Sequence, residues 1–523
     1  MYSLIIKNGE IIDGSGKPSY QGDIAIEGHR IINIAPKINN AAVDVYDAAG
    51  KIVCPGFIDI QNHSDSYWQI FDNPGLHSLL TQGYTTILVG QCGASLAPLL
   101  SGQGLLALQK WHDLSGANIN WQSFSEFAAV MEKNRFGCNI GSLVGYSTLR
   151  RGLVGDDVTA LDLPDLNVIL EVLEQSLNAG AFGLSSGLAY AHEAKVSELE
   201  LFSAVKLLKK HNALFSVHLR NEAEQIEEAL EEALDIARHT EVNLKISHLK
   251  IRGKENWPKY DSLIQKLEKA WHKNLNVHFD VYPYNTTWQV LYSYLPAWAV
   301  LGGRQQLLKN LRTSVFRAKL LASLGDAKVD IKDLIITSTA ANLNVIGKTI
   351  GSIAKNFGTS SEEALLHLIE NGGSEVLVFE KSLNDAAVNR LSAHPLAMIA
   401  TDGGGFSKKI STKLVHPRSF GSSAKFLKTV LKEQTIPLVE AIRKLTSLPA
   451  GKAGFTGRGE IKINNYADLI VLDKNKIEDT ATLENPYQFA KGFELVLVNG
   501  ETAIRHDIPT KALSGKFLRR TNG

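Results

Sequence analysis

Six polar side chains stand at, or just past, the ends of short apolar segments rich in β-branched residues: His63, Cys92, His218, His248, Lys250 and Asp402. The segments include Thr85 to Val89 (TTILV), Leu214 to Val217 (LFSV), Leu244 to Ser247 (LKIS) and Ala397 to Thr401 (AMIAT). Each reads as a buried strand that ends in a reactive group. In a closed parallel barrel the catalytic groups come from the ends of several strands at one face, so residues far apart in sequence converge there. A cysteine thiolate with two neutral imidazoles suits zinc and leaves a fourth position open for water, the arrangement of a catalytic rather than a structural ion. The chemistry this implies is metal-assisted hydrolysis.

Taken singly, the residues carry different weight. Cys92, in ILVGQCGAS, lies between Gly90 and Gly93, which let the backbone turn sharply and keep the thiol accessible. Gln61 and His63 are two apart and share one face of a strand, where His63 is either a metal ligand or a hydrogen-bonding group at the rim. Asp402, in MIATDGGG, is placed to take a proton from an activated water and return it to a leaving group; the plainer reading is a turn cap before Gly403 to Gly405. Lys250, two beyond His248, faces the same pocket if the strand continues. A cation beside a divalent ion needs an anion between them, and a substrate carboxylate would supply it. Arg418, in VHPRSFG on the loop after Asp402, could grip that carboxylate with two hydrogen bonds, or be a solvated surface charge. His112, His192, His239, His272, His278, His367 and His394 read as structural.

The elements that must position these groups follow from periodicity. Eight candidate strands are expected at Val53 to Gln61, Thr85 to Gln91, Ile140 to Tyr146, Ala181 to Ser185, Leu214 to Val217, Leu244 to Ser247, Val277 to Tyr282 and Leu396 to Thr401. Eight strands alternating with helical stretches, such as Pro164 to Ala179 and Glu222 to His239, predict an α/β fold with a (β/α)8 barrel over 54–456. Short alternating strands at both chain ends, 1–53 and 457–523, predict a small β-sandwich built from the two termini. The stretch 285–380 is too long for an ordinary connection and is expected to be an insertion over the mouth, acting as a lid or specificity element.

Composition excludes several classes. With 55 basic and 54 acidic side chains and no long run of one sign, nothing favours nucleic acid or an anionic membrane as partner. No segment approaches the roughly 20 apolar residues of a membrane span, and the first residues lack the apolar run of a signal peptide, so a cytoplasmic location is the expectation. Cys54, Cys92 and Cys138 are too few for a disulfide framework. Oligomeric state is not legible.

At this point the chain resembles the amidohydrolase superfamily, and within it the N-acyl-D-amino-acid deacylases, or D-aminoacylases. The resemblance rests on an ordered set of motifs: NGEIIDGSG, PGFIDIQNHSD, GQCGASLAP, GYSTLR, GLSSGLAY, HLRNE, ISHLK, DVYPY, TDGGG, HPRSFG and ADLIVLD with VNG. It implies one tightly bound zinc on Cys92, His218 and His248, Asp402 as general base and acid, and Lys250 and Arg418 on the substrate carboxylate. Tyr190 and Tyr282 fall in motifs that line the family's pocket. The substrate implied is a small-molecule N-acyl-D-amino acid, cleaved to a carboxylic acid and a free D-amino acid. The family has His-x-His after strand one, and here Gln61 replaces the first histidine; a neutral amide oxygen is a poor zinc ligand, so a second ion beside His63 is not expected. Strand four ends GLSSG, without the lysine that bridges two ions in other amidohydrolases. The other readings kept open are cyclic amide or imide hydrolysis on the same scaffold, and a degenerate barrel that binds without turnover.

Overall fold

Side-chain alternation along the strands decides what the barrel wall buries and what it presents. In the computed structural model, which describes residues 1–521 apart from 109–113, 115–117, 157–158, 326–329 and 410, eight parallel strands close a barrel. They are β1 (Phe57–Asp59), β2 (Tyr84–Val89), β3 (Asn139–Ser142, continued by Val144–Gly145), β4 (Gly183–Gly187), β5 (Leu214–His218), β6 (Asn243–Ile246), β7 (Val277–Val281) and β8 (Ala397–Ile399). Each pairs in parallel with the next. The seam between β8 and β1 is shut by a parallel bridge of Asn62 with Gly403, with Asp402 N donating to Gln61 O at 2.9 Å and His63 N to Gly403 O at 2.7 Å.

On β5 to β8, Phe215, Val217, Leu244, Ile246, Phe279, Val281, Ala397 and Ile399 point outward and pack with Leu230, Leu263 and Leu427 of the surrounding helices. Burying each of these side chains other than Ala397 contributes roughly 1.5–3 kcal/mol. The inward set starts as an apolar floor that gathers Ile58, Leu88, Leu214, Met398 and Phe455. Above it the same strands turn polar, at Ser216, Lys245 and Asp280, all fully buried. Period two then delivers His218, Tyr282 and Asp402 at the mouth.

Strand one differs from expectation. Val53 to Gln61 is two strands: Ile52–Pro55 pairs antiparallel with Leu469–Leu472 outside the barrel, and β1 begins after Gly56. The chain crosses there so close to β2 that a Cβ on Gly56 would lie 2.2 Å from Thr85 Oγ1. Strands of both chain ends, from Tyr2–Ile11 to Ile508–Pro509, form one nine-stranded sheet. Its alternation is two-faced: Ile470, Leu472, Val496 and Val498 pack on the barrel side, while Leu469, Val471, Leu495 and Leu497 join Leu4, Ile24 and Ile26 in a separate apolar cluster. Glu494 ties the two ends together, accepting from Tyr46 at 3.1 Å, from Lys476 at 2.9 Å and from Lys51.

Between β7 and β8, Thr287–Val290, Leu377–Glu380 and Ile335–Ser338 form an antiparallel three-stranded sheet around its own apolar cluster, which includes Leu291, Leu320, Ile336 and Leu365. The helix expected from Glu222 begins only at Ile226, in Ile226–Thr240. Asn221 Oδ1 accepts from Ala223 N at 2.8 Å and Gln225 N at 3.1 Å, and this side-chain turn keeps Glu222 out of the helix and at the barrel mouth. Among the described residues no helix is long and apolar enough to cross a membrane.

Candidate metal centre and active site

Cys92 follows β2 with φ 53°, between Gly90 at 75° and Gly93 at 79°. Three left-handed residues within four positions turn the thiol back over the barrel axis, a conformation two glycines make accessible. A Cβ on Gly93 would stand 2.1 Å from Glu193 Oε1 and 2.5 Å from Ser147 Oγ, so the loop has no room for a side chain there. His248 (φ 36°) and Asp402 (φ 47°) are also left-handed, each at the point where its strand bends over the mouth.

The side chains converge. Cys92 Sγ lies 3.3 Å from His248 Nε2, 3.8 Å from His63 Nε2 and 3.2 Å from Gln61 Nε2. Donor atoms of Cys92, His218 and His248 all lie within 4.8 Å of one another, and so do those of His63, Cys92 and Asp402. Asp402 bridges two cations, with Oδ1 3.1 Å from His63 Nε2 and Oδ2 2.7 Å from Arg418 Nη1. Gln61 apart, these groups line one cavity of ≈ 220 Å³. Tyr190, whose ring centre is 5.1 Å from that of His218, and Tyr282 share it. The wall opposite comes from the insertion, at Thr287, Trp288, Gln289, Val290 and Ser293.

The charges are strongly coupled. Burial raises the Cys92 thiol, yet His248, His218 and His63 around it outweigh burial and hold it well below the usual thiol range. Burial also disfavours ionised Asp402, but Arg418, His248 and His63 hold its carboxyl well below the usual carboxylate range. Asp59 and Asp65, buried in the same barrel end, are instead raised by burial to about 6. Against burial, bonds to Asp402 and Cys92 push His63 up to about 10. His218 is lowered, chiefly by burial. The thiolate and the ionised aspartate are therefore the forms present at neutral pH.

This set fits zinc. A thiolate and two imidazoles are zinc's preferred donors, and His218 Nδ1 is buried without a hydrogen-bond partner among the described residues. Tyr282 Oη is likewise buried with no partner among the described residues, and the Arg418 guanidinium lies 4.6 Å from its ring centre.

Two expectations need amending. Lys250 faces the pocket, but the anion beside it is the protein's own: Nζ lies 2.5 Å from Glu222 Oε1 and 2.8 Å from His248 Nδ1. Arg418 is neither on a loop nor solvated; it opens the helix Arg418–Glu433 and is 3% exposed. Of the histidines read as structural, His192 is buried against Ser147, and His112 lies outside the described residues. Sequence reasoning missed Glu222, whose Oε1 is also 3.2 Å from His248 Nδ1 and 3.5 Å from His218 Nε2. The available signal was its place four residues after His218. It also missed Lys245 and Asp280, whose inward direction only the alternation of β6 and β7 reveals.

A parallel eight-stranded barrel with a cysteine, two histidines and an ionised aspartate at its C-terminal mouth defines a metal-dependent amidohydrolase. No family profile matches the chain. It is 30% identical over 501 residues to the N-acyl-D-aspartate deacylase of Alcaligenes xylosoxydans xylosoxydans, covering 95% of this chain and 91% of that protein. Among solved structures it matches an N-acyl-D-glutamate deacylase from Bordetella bronchiseptica, complexed with zinc and a phosphonate that mimics the tetrahedral intermediate; the TM-score is 0.84 at 27% identity, over 99% of this chain and 100% of that one. It matches equally a D-aminoacylase with a binuclear metal centre, characterised by one-metal activation and second-metal attenuation, with TM-score 0.84, 27% identity and the same coverage, 99% and 100%. The chain belongs to the N-acyl-D-amino-acid deacylase family.

Proposed function

We propose that this protein is a cytoplasmic zinc enzyme that hydrolyses the amide of an N-acyl-D-amino acid, giving a carboxylic acid and a free D-amino acid. The observation that carries the reading is the meeting of Cys92, His218 and His248 within 4.8 Å of one another, beside Asp402, in a chain of that family. Zinc held by those three side chains would polarise the acyl carbonyl and acidify a water beside it. The D configuration is taken from what the relatives act on.

The chain's own residues do the rest. Asp402, kept ionised by Arg418, accepts the proton of the attacking water. His63, 3.1 Å from Asp402 Oδ1, orients that carboxylate, and its Nδ1 has no partner among the described residues. As the carbon–nitrogen bond breaks, Asp402 returns the proton to the departing nitrogen. Arg418 and the hydroxyl of Tyr282 receive the substrate carboxylate, Lys250, paired with Glu222, lines the same cavity, and Tyr190 bounds it beside His218. Fixing the carboxylate sets the distance to the scissile bond. The three cysteines are all free thiols, which suits a reducing compartment. No observation favours the cyclic-amide reading, since β4 ends at Ser185, Ser186 and Gly187 with no lysine.

The test is Asp402→Asn. The amide fills the same space and retains an acceptor for Arg418, so zinc stays bound while turnover falls about 10²- to 10⁴-fold, the loss expected for a general base. Retained turnover in zinc-loaded protein would remove Asp402 from the mechanism.

A further inference from the structure

A buried ammonium lies directly beneath the metal ligands. Lys245 and Asp280 are both 0% exposed, inside the barrel, with Lys245 Nζ 2.6 Å from Asp280 Oδ2. The same nitrogen donates to Gln61 Oε1 at 2.5 Å and to Ser247 Oγ at 3.3 Å. An ammonium has three hydrogens, and these three acceptors use them all. Asp280 also accepts from the backbone N of the ligand His248 through its other oxygen, at 2.9 Å. The network is closed and leaves Lys245 no freedom to turn away.

Lys245 thereby dictates which end of the Gln61 amide faces the ligands. An ammonium can only donate, so Gln61 must offer it the oxygen, and the NH2 end is left pointing at Cys92 Sγ, 3.2 Å away. The second donor set, His63, Cys92 and Asp402, shares that sulfur. A second cation at the shared sulfur would meet amide hydrogens from Gln61 with an ammonium behind them. Turning the amide over to offer a lone pair would press its NH2 group against Lys245 and sacrifice a charge-assisted hydrogen bond in a dry interior.

We propose that Lys245, acting through Gln61, is a positioning residue that limits this site to one ion: the buried ammonium replaces the second cation and donates, by way of the amide, to the Cys92 sulfur. This rests on the reading of Cys92, His218 and His248 as the zinc ligands. It goes beyond the loss of an imidazole at position 61, because it makes restoring that imidazole insufficient. In Gln61→His the Lys245 ammonium still stands where the ring nitrogen would need a metal.

The experiment counts ions on the full-length chain. Metal-stripped protein is dialysed against zinc and its metal-to-protein ratio measured, and in parallel it is titrated with cadmium while the thiolate-to-metal charge-transfer absorbance is followed. The proteins are wild type, Gln61→His, and Gln61→His combined with Lys245→Met and Asp280→Asn, which removes both buried charges and leaves an acceptor for His248 N. Wild type and Gln61→His should stop at one ion per chain, with absorbance saturating at one equivalent. The triple variant should take a second ion with a further rise in absorbance. Two ions on wild type or on Gln61→His would overturn the proposal, as would a triple variant that keeps its first ion and refuses a second. If the triple variant does not fold, Gln61→His decides: one ion supports the lock and two ions break it. Wild type that binds no zinc would instead overturn the ligand assignment, and this inference with it.

Discussion

Replacing Glu222 by glutamine removes one negative charge and little else, and its effect should fall on metal affinity. One oxygen, Oε1, stands 2.5 Å from Lys250 Nζ, 3.2 Å from His248 Nδ1 and 3.5 Å from His218 Nε2. A carboxylate behind a ligand imidazole fixes the ring and raises its basicity, and removing such a partner costs about 10- to 100-fold in metal affinity. Here one carboxylate serves the rings of both His248 and His218, the ligands proposed above, and also pairs with Lys250, so the upper half of that range applies. That is roughly 2–3 kcal/mol, at about 1.4 kcal/mol per tenfold. Glutamine still offers an acceptor, so the protein should fold. The assay is zinc competition against a chromophoric chelator, followed by turnover at saturating zinc. We expect zinc to dissociate about 30- to 100-fold more readily, while turnover per bound zinc changes by only a few-fold. An unchanged zinc affinity, or a loss of turnover as large as that of Asp402→Asn at full zinc occupancy, would refute the reasoning.

Further outcomes follow from the same geometry. Arg418→Lys keeps the charge but loses the planar fork that reaches both Asp402 and the cavity, so kcat/KM for carboxylate substrates should fall about 10- to 100-fold, with KM raised and kcat also reduced; steady-state kinetics on free and esterified substrates would show it, and an equal loss on both would count against the carboxylate contact. Glu494 is held down to about 2 from an ordinary 4.5, against burial, by Lys51, Lys476 and Tyr46. Because its folded value is depressed, its stabilisation is complete above the ordinary value and is lost as pH falls from there toward 2. Urea midpoints measured between neutral pH and about pH 3 should therefore drop more steeply for wild type than for Glu494→Gln; parallel curves would exclude that linkage.

The strands and the meeting of Cys92, His218 and His248 are legible because both obey short-range rules. Runs such as Leu214–His218 combine β-branched or aromatic outward residues with a period-two inward set, and the reactive group, His218, closes that inward set. The break at Gly56 was not readable, since the demand for glycine comes from Thr85 on the neighbouring strand. Glu222 falls within a helical pattern that its own neighbour, Asn221, interrupts with a side-chain turn. Lys245 is harder still. A lysine in a strand reads as an edge or surface charge, and what makes it an interior one is a carboxylate 35 residues later, on the adjacent strand. From its motif Arg418 reads as either a carboxylate anchor or a surface charge, and its bond to Asp402 depends on where the helix Arg418–Glu433 begins.

The account's central claim is best met by measuring free amine released from matched N-acetyl-D- and N-acetyl-L-amino acids by zinc-loaded protein. Release confined to the D series is the predicted result. Comparable release from the L series, or none from either with zinc confirmed on the protein, would contradict it.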